Sequence, residues 1–309
     1  MTLQQLEYIL AVERFRHFGR AAEHCNVTQP TLSAMIQKLE EELEVKIFDR
    51  GRTPIMPTSV GESILREARE TLAQAARIKD IIGEEKQSVK GVFRVGILPT
   101  IAPYLLPRFF PAMAKKYPEL DMRVMEMKTH EIKKALNEGE IDAGILAAID
   151  GLGDFEQLHL IYEKYLGYVS RNDVLFDRDI IRTSDLASSK DLWLLNEGHC
   201  FRDSMVRFCQ MKSAQTSRLA YNLGSMETFM RMVESGKGIT FIPELASLQL
   251  SEPQKELIRP FAVPIPTRQL VLITNRNFIR KTLLEVLVKE VQASVPKDMW
   301  KLKGGQVVV

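Results

Sequence analysis

Three cysteines occur in the 309 residues of this chain, and two of them, Cys200 and Cys209, stand nine positions apart. The first lies in Gly198-His199-Cys200-Phe201-Arg202-Asp203, which sets a thiol among basic side chains. Phe201, Met205 and Phe208 recur at three- and four-residue spacing with Arg202, Ser204 and Arg207 between them, a pattern that predicts a helix after Cys200. Nine helical residues rise about 13.5 Å. A disulfide needs its two Cα atoms within about 4.4–6.8 Å. The two thiols can therefore join only if that helix unwinds, and their oxidation becomes a change of shape.

Cys200 at a helix N-terminus would meet unpaired N–H groups and the positive end of the macrodipole, with His199 and Arg202 adding to the field. Such a site lowers a thiol pKa and makes the thiolate reactive toward oxidants. Peroxide converts a thiolate to a sulfenic acid, which a second thiol such as Cys209 can resolve. The competing reading is that both cysteines pack as small apolar side chains, as is expected of Cys25. Spacing alone leaves both readings open.

The elements that would position these groups come next. The chain exceeds the roughly 100–150 residues of an ordinary domain, so two or three modules are expected, and 45% apolar content suffices for their cores. It has no run of about 18 apolar residues, and Met1-Thr2-Leu3-Gln4-Gln5-Leu6-Glu7 lacks the pattern of a secretory leader. A soluble, cytoplasmic protein without cofactor or metal is expected. In that compartment a disulfide is not the resting state of a cysteine pair, which is what a sensor requires. Net charge is +2, and residues 1–58 carry seven Lys/Arg against eight Asp/Glu, so charge announces no nucleic-acid partner and pattern must carry any such reading.

Pattern does carry it. Leu3, Leu6, Ile9, Leu10 and Val12 form the stripe of a first helix, and residues 19–25 suit a short second one. After the turn Asn26-Val27, Thr28-Gln29-Pro30-Thr31 is a strong helix start, with Thr28 as cap and the proline in the first turn. The helix it opens should bury Leu32, Met35 or Ile36, Leu39 and Leu43. This is a helix-turn-helix, whose second helix can enter a major groove. Gln29, Pro30, Thr31 and Ser33 at its start, then Gln37 and Lys38, are the candidate DNA contacts, with Arg20 on the preceding helix. Residues 48–54 read as a hairpin wing whose Arg50 and Arg52 suit phosphate or minor-groove contact. Residues 58–86 read as one long helix, with Ile64, Ala68, Thr71, Ala75, Ile78 and Ile82 as a coiled-coil seam.

Ala21-Ala22, Val27-Thr28-Gln29-Pro30-Thr31-Leu32-Ser33, Ile36, Leu39-Glu40, Leu43 and Phe48-Asp49-Arg50 resemble the winged helix-turn-helix of the LysR-type transcriptional regulators. That resemblance implies a homodimer or homotetramer on a partly palindromic stretch of double-stranded promoter DNA, working with RNA polymerase and not as an enzyme.

Beyond the short hinge Ser88-Val89-Lys90-Gly91, strand-like runs (93–98, 122–127, 143–148, 193–195, 239–242, 270–274) alternate with helical ones (104–117, 132–138, 225–236, 280–292). Alternation of this kind argues an α/β fold with largely parallel sheets, whose ligands sit at the carboxyl ends of strands. Pro99-Thr100, Thr129-His130 and Gly198-His199-Cys200 each follow a predicted strand, so all three could face one crevice. Threonine hydroxyls there could both donate to and accept from a peroxide.

The resemblance extends to about residue 295, to the peroxide-responsive members of the family, on Leu98-Pro99-Thr100, Pro103-Tyr104-Leu105-Leu106-Pro107, Thr129-His130, Gly198-His199-Cys200, Phe208-Cys209 and Ser225-Met226-Glu227-Thr228. It implies a two-subdomain, periplasmic-binding-protein-like regulatory domain over 88–309, with one subdomain at about 91–163 plus 268–300 and the other at 164–267. The preceding parts are a head at 1–58 and a linker at 59–87. It implies Cys200 as the peroxidatic thiol and Cys209 as its resolving partner, with Thr100, Thr129 and His199 shaping the peroxide site and Arg268 favouring the thiolate. The function so implied is control of oxidative-stress genes through a thiol–disulfide switch. A regulator reading a small metabolite in the same crevice is the alternative. A thiol peroxidase is disfavoured because its usual Pro-x-x-x-Thr-x-x-Cys loop is missing. Residues 300–309 lie outside the resemblance and stay unassigned.

Overall fold

The computed structural model describes residues 1–149, 151–186, 192–195, 200–209, 225–236 and 238–309, with the side chains of residues 76, 79, 80, 83 and 200 outside that description. The chain divides into two units, Met1–Gln87 and Ser88–Val309.

The first unit contains α1 (Leu3–Phe15), α2 (Phe18–His24), α3 (Gln29–Glu42), a hairpin of β1 (Phe48–Asp49) and β2 (Met56–Pro57), and α4 (Ser59–Glu85). Thr2 and Gln5 close a capping box on α1 that turns Gln5 inward, where its amide donates to the Met35 carbonyl at 3.1 Å. Gln5 is thus buried where Leu3 was expected, and Leu3 lies half in solvent. Leu43 also departs from expectation: it is the C-cap of α3 and stays exposed, while Leu32, Ile36 and Leu39 fill the core. Thr58 caps α4, its hydroxyl accepting from the Gly61 N–H at 2.9 Å. Gly61 has a second reason to be glycine, since a Cβ there would lie 2.0 Å from the Ile47 carbonyl oxygen.

The expected seam on α4 splits in two. Ala68, with Leu65, is buried in this unit's own core, and Arg69 pairs with Glu13 of α1. Further along, Ile78 and Ile82 are 65% and 52% exposed, as is Ile81 beside them.

The second unit runs β3 (Gly91–Ile97), α5 (Ala102–Lys116), β4 (Leu120–Glu126), α6 (Thr129–Asn137), β5 (Ala143–Ala147), β6 (Phe155–Val169), α7 (Thr183–Leu186), α8 (Cys200–Phe208), α9 (Met226–Ser235), β7 (Ile239–Pro243), α10 (Glu244–Ser247), α11 (Glu252–Lys255), β8 (Ile258–Pro260), β9 (Ile265–Asn275) and α12 (Lys281–Ala293). A 3-10 turn (Lys297–Met299) and β10 (Gln306–Val308) follow. Strand order is β4-β3-β5-β9-β6-β7, with β10 on β9 and β8 on β6.

The expectation of a largely parallel sheet needs correcting. β3 pairs in parallel with β4 and β5, but β9 runs antiparallel to β5 and to β6, and β6 runs antiparallel to β7 and β8. The cause is β6, a 15-residue strand whose first part pairs with β9 and whose last part leaves it for β7 and β8. The boundaries expected between subdomains, at 163/164 and 267/268, fall inside β6 and β9, where Glu163 stands opposite Arg268 and Lys164 opposite Thr267. The strand expected at 193–195 reduces to a single parallel bridge between Leu192 and Ile239. No described helix is long and apolar enough to cross a membrane.

Candidate functional site

On the first unit, α3 turns Leu32, Ile36 and Leu39 inward, which leaves Gln29, Pro30, Thr31, Gln37 and Lys38 exposed and Ser33 half-buried. The Thr28 hydroxyl caps the helix by accepting from the Thr31 N–H at 3.4 Å, and the two threonine hydroxyls meet at 2.8 Å. Gln37 donates to Glu41 at 2.9 Å. Arg20 is exposed on α2, whose first turn is capped by the His17 ring.

The wing arginines differ. Arg52 is mostly in solvent and pairs locally with Asp49 at 3.0 Å. Arg50 reaches back to Glu40 of α3 at 3.1 Å and lies over the Phe18 ring. Glu40, part of the family motif but given no role by it, is buried and also accepts from the Ile47 and Phe48 N–H groups at 2.8 and 3.3 Å. Wing and α3 are therefore held in one geometry by a buried carboxylate, and Arg50 has a structural partner besides any phosphate.

In the second unit, parallel β3 and β4 bring their carboxyl ends to the same edge. Thr100 follows β3 and is buried; Thr129 is the first residue of α6, after β4, and is half-buried. Arg268, on β9, joins the first of these: Nη1 donates to the Thr100 hydroxyl at 3.2 Å and Nη2 to its carbonyl at 3.0 Å. The Arg268 side chain is only 2% exposed, and its Nε and Nη2 both lie 2.8 Å from Oε2 of Glu163, whose side chain is 0% exposed. The other Glu163 oxygen accepts from the Leu245 N–H at 2.8 Å. Burial pushes the Glu163 carboxyl up, and the Arg268 charge and the Leu245 N–H oppose that push. Arg268 thus has a buried carboxylate partner in Glu163. Its guanidinium lies 5.1 Å from the ring centroid of Phe201, in the first turn of α8, and Phe201 in turn packs on Tyr165. The charge pair therefore fixes Thr100 on one side and supports the start of α8 on the other.

α8 itself is intact from Cys200 to Phe208, and Cys209 follows it directly. Phe201, Met205 and Cys209 are buried, with Phe208 half-buried against Phe261. Ser204, expected on the polar side, is 3% exposed, and its hydroxyl donates to the Val309 carbonyl at 3.1 Å. Arg202 lies 3.6 Å from Asp203. Burial raises the Cys209 thiol to about 12, so at neutral pH it is a protonated thiol. His199 and the Cys200 side chain lie outside the described residues.

Two further polar links were missed in the sequence. Tyr104 of α5 donates to Glu227 of α9 at 2.7 Å, and Gln249 donates to the Tyr104 carbonyl at 3.2 Å. Burial and the Glu227 carboxylate both push the Tyr104 hydroxyl up. The apolar spacing around Glu163 and Glu227 held no cue to either partner, because each lies more than a hundred positions away in sequence.

Comparison with known proteins bears on both units. Residues 3–62 match the bacterial regulatory helix-turn-helix protein family of lysR type, and residues 86–296 the LysR substrate binding domain. A "Hydrogen peroxide-inducible genes activator" of Dickeya chrysanthemi is 32% identical over 304 residues, covering 98% of this chain and 99% of that protein. The "DNA-binding transcriptional dual regulator OxyR" of Escherichia coli K12 is 31% identical over 95% of each chain. A full-length OxyR variant structure from Pseudomonas aeruginosa, 33% identical, superposes with a TM-score of 0.76 over 94% of this chain and 98% of that one. OxyR from Porphyromonas gingivalis, 49% identical, covers 71% of this chain and 99% of that one with a TM-score of 0.66. These relatives are regulators rather than enzymes. With both modules matched and likeness over nearly its whole length, the chain belongs to the LysR family of bacterial transcriptional regulators and within that family resembles OxyR.

Proposed function

We propose that this protein is a cytoplasmic DNA-binding regulator that responds to hydrogen peroxide and activates oxidative-stress genes, with Cys200 as the reacting thiol and Cys209 as the resolving one. The observation that carries the reading is an unbroken helix between the two cysteines, its far end closed by a buried, protonated thiol. Cys209 is thus kept from chemistry at rest and becomes available only when α8 is disrupted. Thr100, Thr129 and His199 would receive the peroxide, with Thr100 pre-oriented by Arg268.

In this reading residues 1–58 hold promoter DNA through Arg20, α3 and the wing. The linker at 59–87 pairs with a second copy through Ile78, Ile81 and Ile82, which are exposed and otherwise expensive to leave in water. The regulatory domain at 88–309 changes the spacing of the heads in a dimer or tetramer, and with it the contact to RNA polymerase.

Thiol mass mapping before and after equimolar hydrogen peroxide tests the chemistry. A Cys200–Cys209 bond with Cys25 free is expected. A Cys200→Ser variant that still activated transcription normally on peroxide addition would sink the proposal and leave a metabolite-sensing regulator in its place.

A further inference from the structure

Residues 297–309 lie beyond the matched substrate-binding domain, which ends at 296. They are well anchored nonetheless. Met299 is buried, and the Trp300 indole donates to the Gln292 carbonyl at 2.9 Å while the Trp300 carbonyl meets the His159 ring at 3.0 Å. A turn through Gly305, whose φ of +82 suits glycine, then sends β10 along β9 in parallel, with Gln306, Val307 and Val308 opposite Ile265, Pro266 and Thr267. The Ile265 N–H donates to the Gly305 carbonyl at 2.7 Å and the Val309 N–H to the Thr267 carbonyl at 3.1 Å. From there the chain touches α8, where the Ser204 hydroxyl donates to the Val309 carbonyl at 3.1 Å.

We propose that β10 is a latch on α8, and that forming the Cys200–Cys209 bond releases it. The inference rests on the thiol–disulfide reading above. In that chemistry the Cys200 thiolate takes one oxygen from hydrogen peroxide, giving a sulfenic acid and hydroxide. The Cys209 thiol then condenses with the sulfenic acid, forming the S–S bond and releasing water. The helix holds the two Cα atoms about 13.5 Å apart and the bond brings them within about 7 Å. Ser204 sits in the middle of the segment that must collapse. Its bond to Val309 cannot survive that rearrangement, and neither can the burial that brought the two together. β10 then keeps its three-residue pairing with β9 and the Trp300 anchor before it, but its last residue is no longer held, so the pairing frays from the Val309 end. Coupling of this kind is reciprocal: whatever seats β10 on α8 opposes the disulfide by the same factor by which the disulfide unseats β10.

The test is hydrogen exchange on the full chain, reduced and after equimolar hydrogen peroxide, with thiol mass mapping of the same samples. The Ile265 and Val309 amides are expected to exchange at least about tenfold faster after oxidation. The Leu272 amide, deep in the β5–β9 pairing, should be unchanged. A mapped Cys200–Cys209 bond with unaltered protection at Ile265 and Val309 would overturn the latch and leave the switch standing. The absence of that bond would remove the switch and the latch together. Ser204→Ala in the full chain supplies a second readout. It removes the contact yet favours helix, so helix propensity alone would oppose oxidation. A dithiol–disulfide equilibrium moved about 2- to 10-fold toward the disulfide is expected from one lost hydrogen bond; no shift, or a shift toward the dithiol, would overturn the proposal.

Discussion

Among the described residues, each unit of this protein buries one glutamate, and the two are held in different ways. Glu40 in the head accepts two backbone N–H groups and faces Lys46 and Arg50, whose side chains are 68% and 38% exposed. Glu163 in the regulatory unit accepts one backbone N–H and faces Arg268, which is as dry as itself. Where the cation keeps contact with water, loss of the carboxylate lets it turn outward. Where it does not, the loss strands a charge inside the protein, so the second pair ties structure together far more tightly than its length alone suggests.

That contrast can be broken by measurement. Glu163→Gln is expected to cost about 3–5 kcal/mol in chemical denaturation of the regulatory unit, whereas Glu163→Leu with Arg268→Met should cost much less, because no charge is then left buried. Glu40→Gln should cost about 1.5–3 kcal/mol in the head. Equal losses for the two single variants would show that the exposure of the partner does not matter.

A buried neutral group sharpens the same comparison through pH. The Cys209 thiol is held near 12 in the fold against an ordinary 9.0, so the folded state keeps its proton longer than the unfolded chain does. Its contribution is fully present below about pH 9 and is lost as pH rises toward 12, at about 1.4 kcal/mol per pH unit. Wild-type stability minus that of Cys209→Ala should fall with this slope between about pH 9 and 11. A flat difference would mean that water reaches the thiol.

Much of the head could be read from its sequence because its signals are local. Thr28 and Pro30 mark a helix start within three positions, and the apolar spacing of Leu32, Ile36 and Leu39 names the buried face. The regulatory unit was harder. β6 was not anticipated at all, because Glu163 and Lys164 interrupt its apolar pattern at the point where the strand changes partners. Parallel or antiparallel direction is likewise set by which strands meet, and alternation of elements leaves that open. The burial of Glu40 and Glu163 leaves no mark in the sequence, since burial of a carboxylate depends on partners that the fold brings from elsewhere. β10 has only three residues, too few for any periodicity. Of the thiol site, the cysteine spacing and the helix between were legible; Ser204 as a buried contact of Val309 was not.

The crossing strands β6 and β9 have a consequence for how such a chain can vary over time. Loops accept insertions and deletions cheaply, but a strand reverses the facing of every later side chain when one residue is added. One residue inserted between Ile161 and Glu163 would turn Glu163 away from Arg268 and move Tyr165, Leu166 and Gly167 off their partners in β7 and β8 at the same time. The length of this ribbon is therefore expected to be nearly frozen in lineages that keep the buried pair, and length changes should gather in the turns outside it.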